Sequence, residues 1–347
     1  MSAKPITVVC VSGDQWGTNY YRARLVKRGL ERRNDLGMNF VHTHLFGPGL
    51  AQSADVLYVL RPMPQTVPIG VLHALKRSGK PIVVDWDDDV FNIPEWSMSG
   101  FALDKKAVRD YYSALMKLAD LVTTTNEYNA RERLPQVTDA PVRVIPNALD
   151  EEQRLLKPTR PLSFEEAKPN IGWAGGSQHN GDVAALDAVW QECLARGWTL
   201  TFLSDVPRSL EGDERFAGQI VQVGGVADVE VYHQALALSC MDVCVAPLLD
   251  IPFNRAKSSL KALEYGAIAG APCVLSDVEA FDDVKAGERF QKLRGFSTRE
   301  WMDALEKAVE VAKSGKQYVL PERFRLGTTT EQWAAAFREA HQIVTEE

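Results

Sequence analysis

Residues 245–277 read VAPLLDIPFNRAKSSLKALEYGAIAGAPCVLSD. The stretch opens in an apolar strand ending at Pro247, runs through an irregular loop, enters a helix near Lys257 and closes in a second β-rich run. That order predicts two parallel strands joined by a helical crossover. At about 100° per residue, Lys257, Lys261 and Glu264 fall on one face of the helix, and Leu260, Leu263 and Ala267 form a separate apolar stripe. A helix N-terminus offers free N–H groups and the positive end of the dipole. Arg255, Lys257, Ser258 and Ser259 add charge and donors there, which suits a diphosphate. Two turns on, Glu264 can accept hydrogen bonds from vicinal hydroxyls such as those of a ribose. The plainer alternative is a solvated Lys/Glu face.

Outward from this unit the same alternation occurs twice. Strand-like runs lie at 170–174, 199–204, 220–223, 242–247 and 271–276, with helices at 182–196, 228–239, 257–269 and 298–314. Earlier runs lie at 6–12, 40–45, 54–61, 81–87, 121–125 and 142–146, with helices at 20–33, 67–78, 104–119 and 127–134. The segment EEQRLLKPTRPLSFEEAKP, 151–169, is rich in proline and charge and reads as a linker. The expected fold is α/β, with two Rossmann-like doubly wound domains facing a central cleft: residues 1–150, the linker 151–169, residues 170–320, and a terminal segment 321–347 carrying an amphipathic helix at 329–343.

Composition agrees with two packed cores. The 347 residues are 45% apolar, and 39 Lys and Arg face 46 Asp and Glu for a net charge of −7, which argues against disorder and against bulk polyanion binding. The N-terminal apolar run is too short for a signal segment, and no stretch approaches the ~20 apolar residues of a membrane span. Five cysteines, three of them in apolar runs, suggest a reducing compartment, and a cytoplasmic location is expected.

Ligands of open parallel sheets bind beyond the carboxyl ends of the strands. At one such end, VVDWDDDVFNIPEW (83–96) gathers four carboxylates; if extended, Asp85, Asp87 and Asp89 share one side and Asp88 takes the other. Close carboxylates raise one another's pKa, which suits general-base work on an acceptor hydroxyl. They can also take a divalent cation or cap a loop that orients the Trp-containing segment after it. Another strand end, IGWAGGSQHNGDVAAL (171–186), has a glycine turn whose backbone can approach a phosphate. The helix at 20–33 gathers Arg24, Lys27, Arg28 and Arg32 on one face. That face is either solvated or open to an anionic acceptor, whether a lipid-linked glycan met in peripheral membrane contact or DNA phosphates.

The 245–277 segment resembles the donor-binding region of GT-B glycosyltransferases, especially the retaining family 4 enzymes, through Glu264-Tyr265-Gly266-Ala267, Gly270, Pro272 and Val274. In that family the second glutamate of an E-x7-E pair binds the ribose, a place Glu264 takes; the first falls on Ala256, with Asn254 or Lys257 as substitutes. Residues 171–186 resemble the family's phosphate-proximal loop, which implies Gly175, Gly176 and Ser177 nearest the donor. His179 is then either a sugar contact or an exposed loop residue. The run SGDQWGTNYYRARL (12–25) resembles the N-terminal glycine loop, which places Gly13, Gly17, Asn19, Tyr20 and Arg22 along the cleft with Asp85 and Asp89. Pro146, Asn147 and Asp150 match the stretch that leads into the family's linker, where Ala148 replaces a glycine.

The resemblance implies transfer of a sugar from a UDP- or GDP-sugar to an acceptor hydroxyl on a glycan, a lipid-linked glycan or a hydroxymethylated phage DNA base. It implies chemistry at Asp87, Asp88, Lys257 and Glu264, with Arg255 and Ser258 at the diphosphate and Gly225 near the base. It implies no required cofactor, a divalent cation being the lesser option, and a last helix that returns to the first domain. A sugar-nucleotide epimerase of the same fold and a non-catalytic nucleotide-sugar-binding protein are the alternatives.

Overall fold

The computed structural model describes residues 5–62, 64–65, 67–97, 106–152 and 168–345. Its strands form two six-stranded sheets, parallel throughout. The first comprises β1 (Ile6–Ser12), β2 (Leu36–His42), β3 (Val56–Leu60), β4 (Ile82–Trp86), β5 (Leu121–Thr124) and β6 (Val142–Val144), in the order β2-β1-β3-β4-β5-β6. The second comprises β7 (Asn170–Ala174), β8 (Thr199–Leu203), β9 (Ile220–Val223), β10 (Val243–Ala246), β11 (Cys273–Ser276) and β12 (Phe290–Leu293), in the order β12-β11-β10-β7-β8-β9.

A sheet covered by helices on both faces is built from strands that are apolar on both sides. In β1, Val8 and Cys10 pack with Trp333 and Phe337, while Val9 and Val11 join the cluster of Tyr111, Tyr112 and Leu115. Trp333 and Phe337 belong to the terminal helix Leu326–Thr345, so the end of the chain covers one face of the first sheet. Leu149 and Leu326 exchange backbone bonds with that returning segment, Leu149 N–H donating to Phe324 and Leu326 N–H to Leu149. The second sheet is sandwiched in the same way, with Trp190 and Trp301 on one face and Leu236 and Leu263 on the other. Tyr20, Tyr21 and Leu25 from the first half join Leu263, Tyr265 and Ile268 in one apolar cluster, which ties the two halves together.

Several boundaries differ from the sequence reading. The second strand begins at Leu36, not near 40, because the edge strand tolerates Gly37 and Asn39 on its exposed side while Leu36 and Met38 are buried. The helix expected from Lys257 starts at Leu260, and the loop before it contains a short helix, Pro252–Arg255, with proline in its first turn. Helix 182–196 is two pieces, Asn180–Ala184 and Asp187–Ala195. Strand β12, FQKL, was not anticipated, since an edge strand of mixed polarity carries little apolar signal. Most of the expected linker lies outside the described residues.

Strand order reverses between β1 and β3 in the first sheet and between β7 and β10 in the second. Crevices open at such reversals. The loops that follow β1, β3, β7 and β10, together with the one after β4, hold the side chains described next.

Candidate active site

Four neighbouring carboxylates follow or end β4, and they divide into two buried struts and two cleft residues. Asp85 receives Arg22 Nε at 3.0 Å, Arg22 Nη2 at 2.7 Å and the Thr123 hydroxyl at 2.6 Å, and the Arg22 and Asp85 side chains are 1% and 0% exposed. Arg22 also donates to the Ile145 carbonyl and lies 4.7 Å from the Trp333 ring. Asp89, fully buried, takes Arg133 Nε at 2.8 Å and the N–H of Phe91 at 3.1 Å. The strand ends at Trp86, so the alternation that grouped Asp85, Asp87 and Asp89 does not continue past it, and that grouping is corrected.

Of the other two carboxylates, Asp87 bonds within the first half and Asp88 also reaches a cation of the second. Asp87 accepts from Thr18 Oγ1 at 2.8 Å and Arg61 Nε at 2.9 Å. Arg61 also pairs with Asp88, whose other oxygen lies 3.5 Å from Lys257 Nζ in the second half. Burial pushes the Asp88 carboxyl up, but Lys257 and Arg61 outweigh it and hold it at about 2. For Asp87 burial wins over Arg61, with Asp88 and Asp85 adding to it, and its pKa is raised. Each of the four carboxylates therefore meets a cation, Asp87 and Asp88 sharing Arg61. Among the described residues no group of three or more His, Cys, Asp or Glu side chains could hold a metal ion.

The second half answers with glycine and positive charge. After β7, a Cβ at Gly175 would lie 2.7 Å from the Trp173 ring and 3.1 Å from Lys261 Cε, so the turn is open only to glycine and sits against the lysine stem. Gly176 is exposed and Ser177 half-buried. Burial lowers the Lys261 pKa, and neighbouring Lys257 lowers it further. Lys257 also stands over the Phe253 ring at 4.4 Å. His179 is 8% exposed, with Nδ1 3.0 Å from Asp182, and burial followed by Lys257 drives its pKa down to about 4. It is thus no exposed loop histidine.

First-half side chains hold the Lys257 loop in place. Asn126 Nδ2 donates to the carbonyls of Arg255 and Lys257 at 2.9 and 2.7 Å, and Asn129 Nδ2 donates to that of Ala256 at 2.9 Å. Asn147 Nδ2 donates to Ser258 Oγ at 3.0 Å. Arg255 turns to Asp250, with Glu279 at 3.5 Å. Asn254 is 1% exposed, its amide donating to Asp182 and to the Leu249 carbonyl.

Glu264 stands apart from this cluster. It is 3% exposed; Oε1 accepts from Tyr21 OH at 2.5 Å and Oε2 from Tyr232 OH at 3.0 Å, with His233 Nε2 3.7 Å from Oε1. Burial pushes this carboxyl up, but hydrogen bonding from His233 and the charge of Lys261 outweigh it and its pKa is lowered. Gly225 is exposed with open space around its α-carbon, as is the space around Gly17. Asn19 is buried and accepts from Arg24, and Tyr20 packs edge-on against Tyr21 and His233.

The basic face of helix 20–33 is paired. Lys27 meets Glu31; Arg28 meets Asp150 and Glu230; Arg32 meets Asp150 and Glu152; Arg33 meets Asp35 and Glu331. Arg24, on the same face, bonds Asn19 and not a carboxylate, and the partners of the others are local, Glu31 and Asp35, as well as distant. No helix among the described residues is long and apolar enough to cross a membrane.

Sequence reasoning singled out neither Arg61 nor Asn126. A positive φ of 42° marks Arg61, and no sequence signal carries it. Tyr21, His233, Asn129 and Asp182 were also missed.

Two parallel α/β sheets meeting across a cleft at their switch points define the GT-B class of fold, and this chain has that fold. No family model matches the chain, and no curated protein does. Among solved structures it is similar to the catalytic domain of starch synthase IV from Arabidopsis thaliana bound to ADP and acarbose, with 11% identity, 99% of each chain covered and a TM-score of 0.62. A sucrose-phosphate synthase from Thermosynechococcus elongatus gives 15% identity, 98% coverage of each chain and a TM-score of 0.61. A glycosyltransferase from Rickettsia africae gives 11% identity, covers 97% of this chain and 98% of its own, and has a TM-score of 0.61.

Proposed function

We propose that the chain is a glycosyltransferase that moves a sugar from a nucleoside diphosphate sugar to an acceptor hydroxyl. The observation that carries this reading is the 3.5 Å pair between Lys257 and Asp88, set beside the Gly175–Gly176 turn and Lys261. In the reading, the donor diphosphate takes the place of Asp88 at Lys257, with backbone N–H groups of the glycine turn and Lys261 supplying the rest of its neutralisation. The acceptor oxygen forms a bond to the anomeric carbon while the bond from that carbon to the phosphate oxygen breaks, its electron pair leaving with the diphosphate. Asp87, with its raised pKa, takes the acceptor proton.

A ribose reaching Glu264 has to displace Tyr21, so nucleotide binding competes with a contact between the halves. The ADP-bound starch synthase of the same fold supports a nucleotide donor. Because the basic helix is ion-paired, we take a glycan hydroxyl, not DNA, as the acceptor. Binding to DNA would fall steeply with salt, and binding to a neutral glycan would not.

The test is a thermal-shift screen of UDP-, GDP- and ADP-sugars followed by mass spectrometry of products with glycan acceptors. A stabilising donor and acceptor-dependent transfer, lost in Lys257→Ala, is the expected result. Absence of stabilisation by every nucleotide sugar would sink the reading, and donor turnover that needs no acceptor would redirect it to the epimerase alternative.

A further inference from the structure

We propose that His179 sets donor specificity: its Nε2 accepts a hydrogen bond from a hydroxyl of the sugar that the nucleoside diphosphate carries, and Asp182 is the positioning residue that aims it. The inference rests on reading the cleft as a nucleotide-sugar site and names one contact within it.

Asp182 is fully buried and already holds two donors on Oδ1, the Leu249 N–H at 2.9 Å and the Asn254 amide at 2.7 Å. Its Oδ2 lies 3.0 Å from His179 Nδ1. A carboxylate bound by other donors can only accept from the ring, so the proton of a neutral His179 resides on Nδ1 and Nε2 carries the lone pair. The side chain keeps 10% of its surface exposed and its described hydrogen bond is made at Nδ1, so Nε2 is the ring nitrogen left to bond water or a ligand.

The ligand's chemistry is then constrained. Phosphate oxygens carry no proton to give at neutral pH, whereas sugar hydroxyls do. The charged groups around the ring agree: Asp182 on its own turn, Lys257 and Lys261 from the facing segment, and Asp88 from the first half. Burial and the two lysines outweigh Asp182 and keep the ring neutral, an acceptor and not a phosphate clamp. Position fits as well. Gly175, where the diphosphate is placed, opens the turn that ends at His179, and the Lys261 stem from the facing helix lies against it, so in this reading the sugar is the part of the donor that extends toward His179.

Titration calorimetry of the full chain with UDP, GDP and ADP, and with UDP-glucose, GDP-mannose and ADP-glucose, tests the contact in wild type, His179→Leu and His179→Gln. In the Leu variant, affinity for the bare diphosphate should stay within about twofold while affinity for its sugar conjugate falls about 10- to 100-fold. Gln, whose amide oxygen can accept, should recover most of that loss, and melting temperatures confirm that both variants fold. Equal losses for diphosphate and conjugate would make His179 a phosphate ligand and overturn the proposal, as would no loss for either. Failure of wild type to bind any of the six would overturn the nucleotide-sugar reading itself, a pattern distinct from the other two. In the free protein, ¹⁵N shifts of the ring should report the Nδ1–H tautomer, neutral at pH 6; a protonated ring there also overturns it.

Discussion

The two sheets end at their switch points in opposite ways. In the first half, charge is fixed: Gly13 packs so closely against the Arg61 carbonyl that a Cβ would collide, and Arg61, Thr18, Asp87 and Asp88 are bonded to one another. In the second half, charge is available: an exposed Gly176, Lys257 held by a 3.5 Å pair, and a neutral His179 bonded to Asp182 through Nδ1 alone. One side is built to stay as it is and the other to receive something. That difference, more than the shared topology, distinguishes the roles of the halves.

The most damaging way to break the contrast is to unpair a fixed charge. Arg22→Met leaves Asp85 buried without its cation, and urea unfolding should show a loss of about 3–5 kcal/mol; a loss under about 1 kcal/mol would mean that the strut carries no load. Next comes the receiving side. Lys257→Ala should lower kcat/KM about 10²- to 10³-fold while leaving the melting temperature within a few degrees, since the lysine is held for a ligand and not for the fold.

The halves should also separate by pH. His179 titrates near 6.5 when unfolded and at about 4 when folded, so the unfolded chain gains a proton first and stability falls as pH drops through that window. The pH-dependent part of the difference between wild type and His179→Gln should reach about 3 kcal/mol at pH 4 and vanish above pH 7. Asp88 behaves oppositely in range: its stabilisation is present above its ordinary pKa of 3.8 and lost only as pH falls toward 2. Chemical denaturation across pH 3–8 would show whether the second-half response precedes the first-half one on acidification. Smallest in effect, Tyr21→Phe removes the bond to Glu264 and should cost about 1 kcal/mol while tightening nucleoside diphosphate binding a few-fold by calorimetry. Weaker binding would mean that Tyr21 assists the ligand instead of competing with it.

Much of the architecture was readable because parallel strands buried on both faces are runs of β-branched residues: β1, β7 and β11 needed only that pattern. Strand β12 was not readable, lying at an edge with mixed polarity. At the site, Lys257 and the glycine turn were visible because helical spacing and glycine adjacency are local. The Tyr21 to Glu264 bond joins residues 243 positions apart, and Asn126 reaches the Lys257 carbonyl across 131. Composition cannot announce such pairs. Nor could it show that Arg28 and Arg32 of the basic helix meet Asp150 and Glu230.

Asn126 and Asn129 grip residues 255–257 only through backbone carbonyls. Those carbonyl contacts hold for any side chain at 255–257, whereas Lys257 adds a side-chain pair with Asp88 across the halves. Ala256, standing where the resembled family has a glutamate, is fully buried, so a larger side chain there has to displace its neighbours. A laboratory evolution campaign aimed at new donors would do best to randomise Arg255 first, whose side chain pairs with Asp250 inside the second half, because selection there acts on chemistry with assembly held constant.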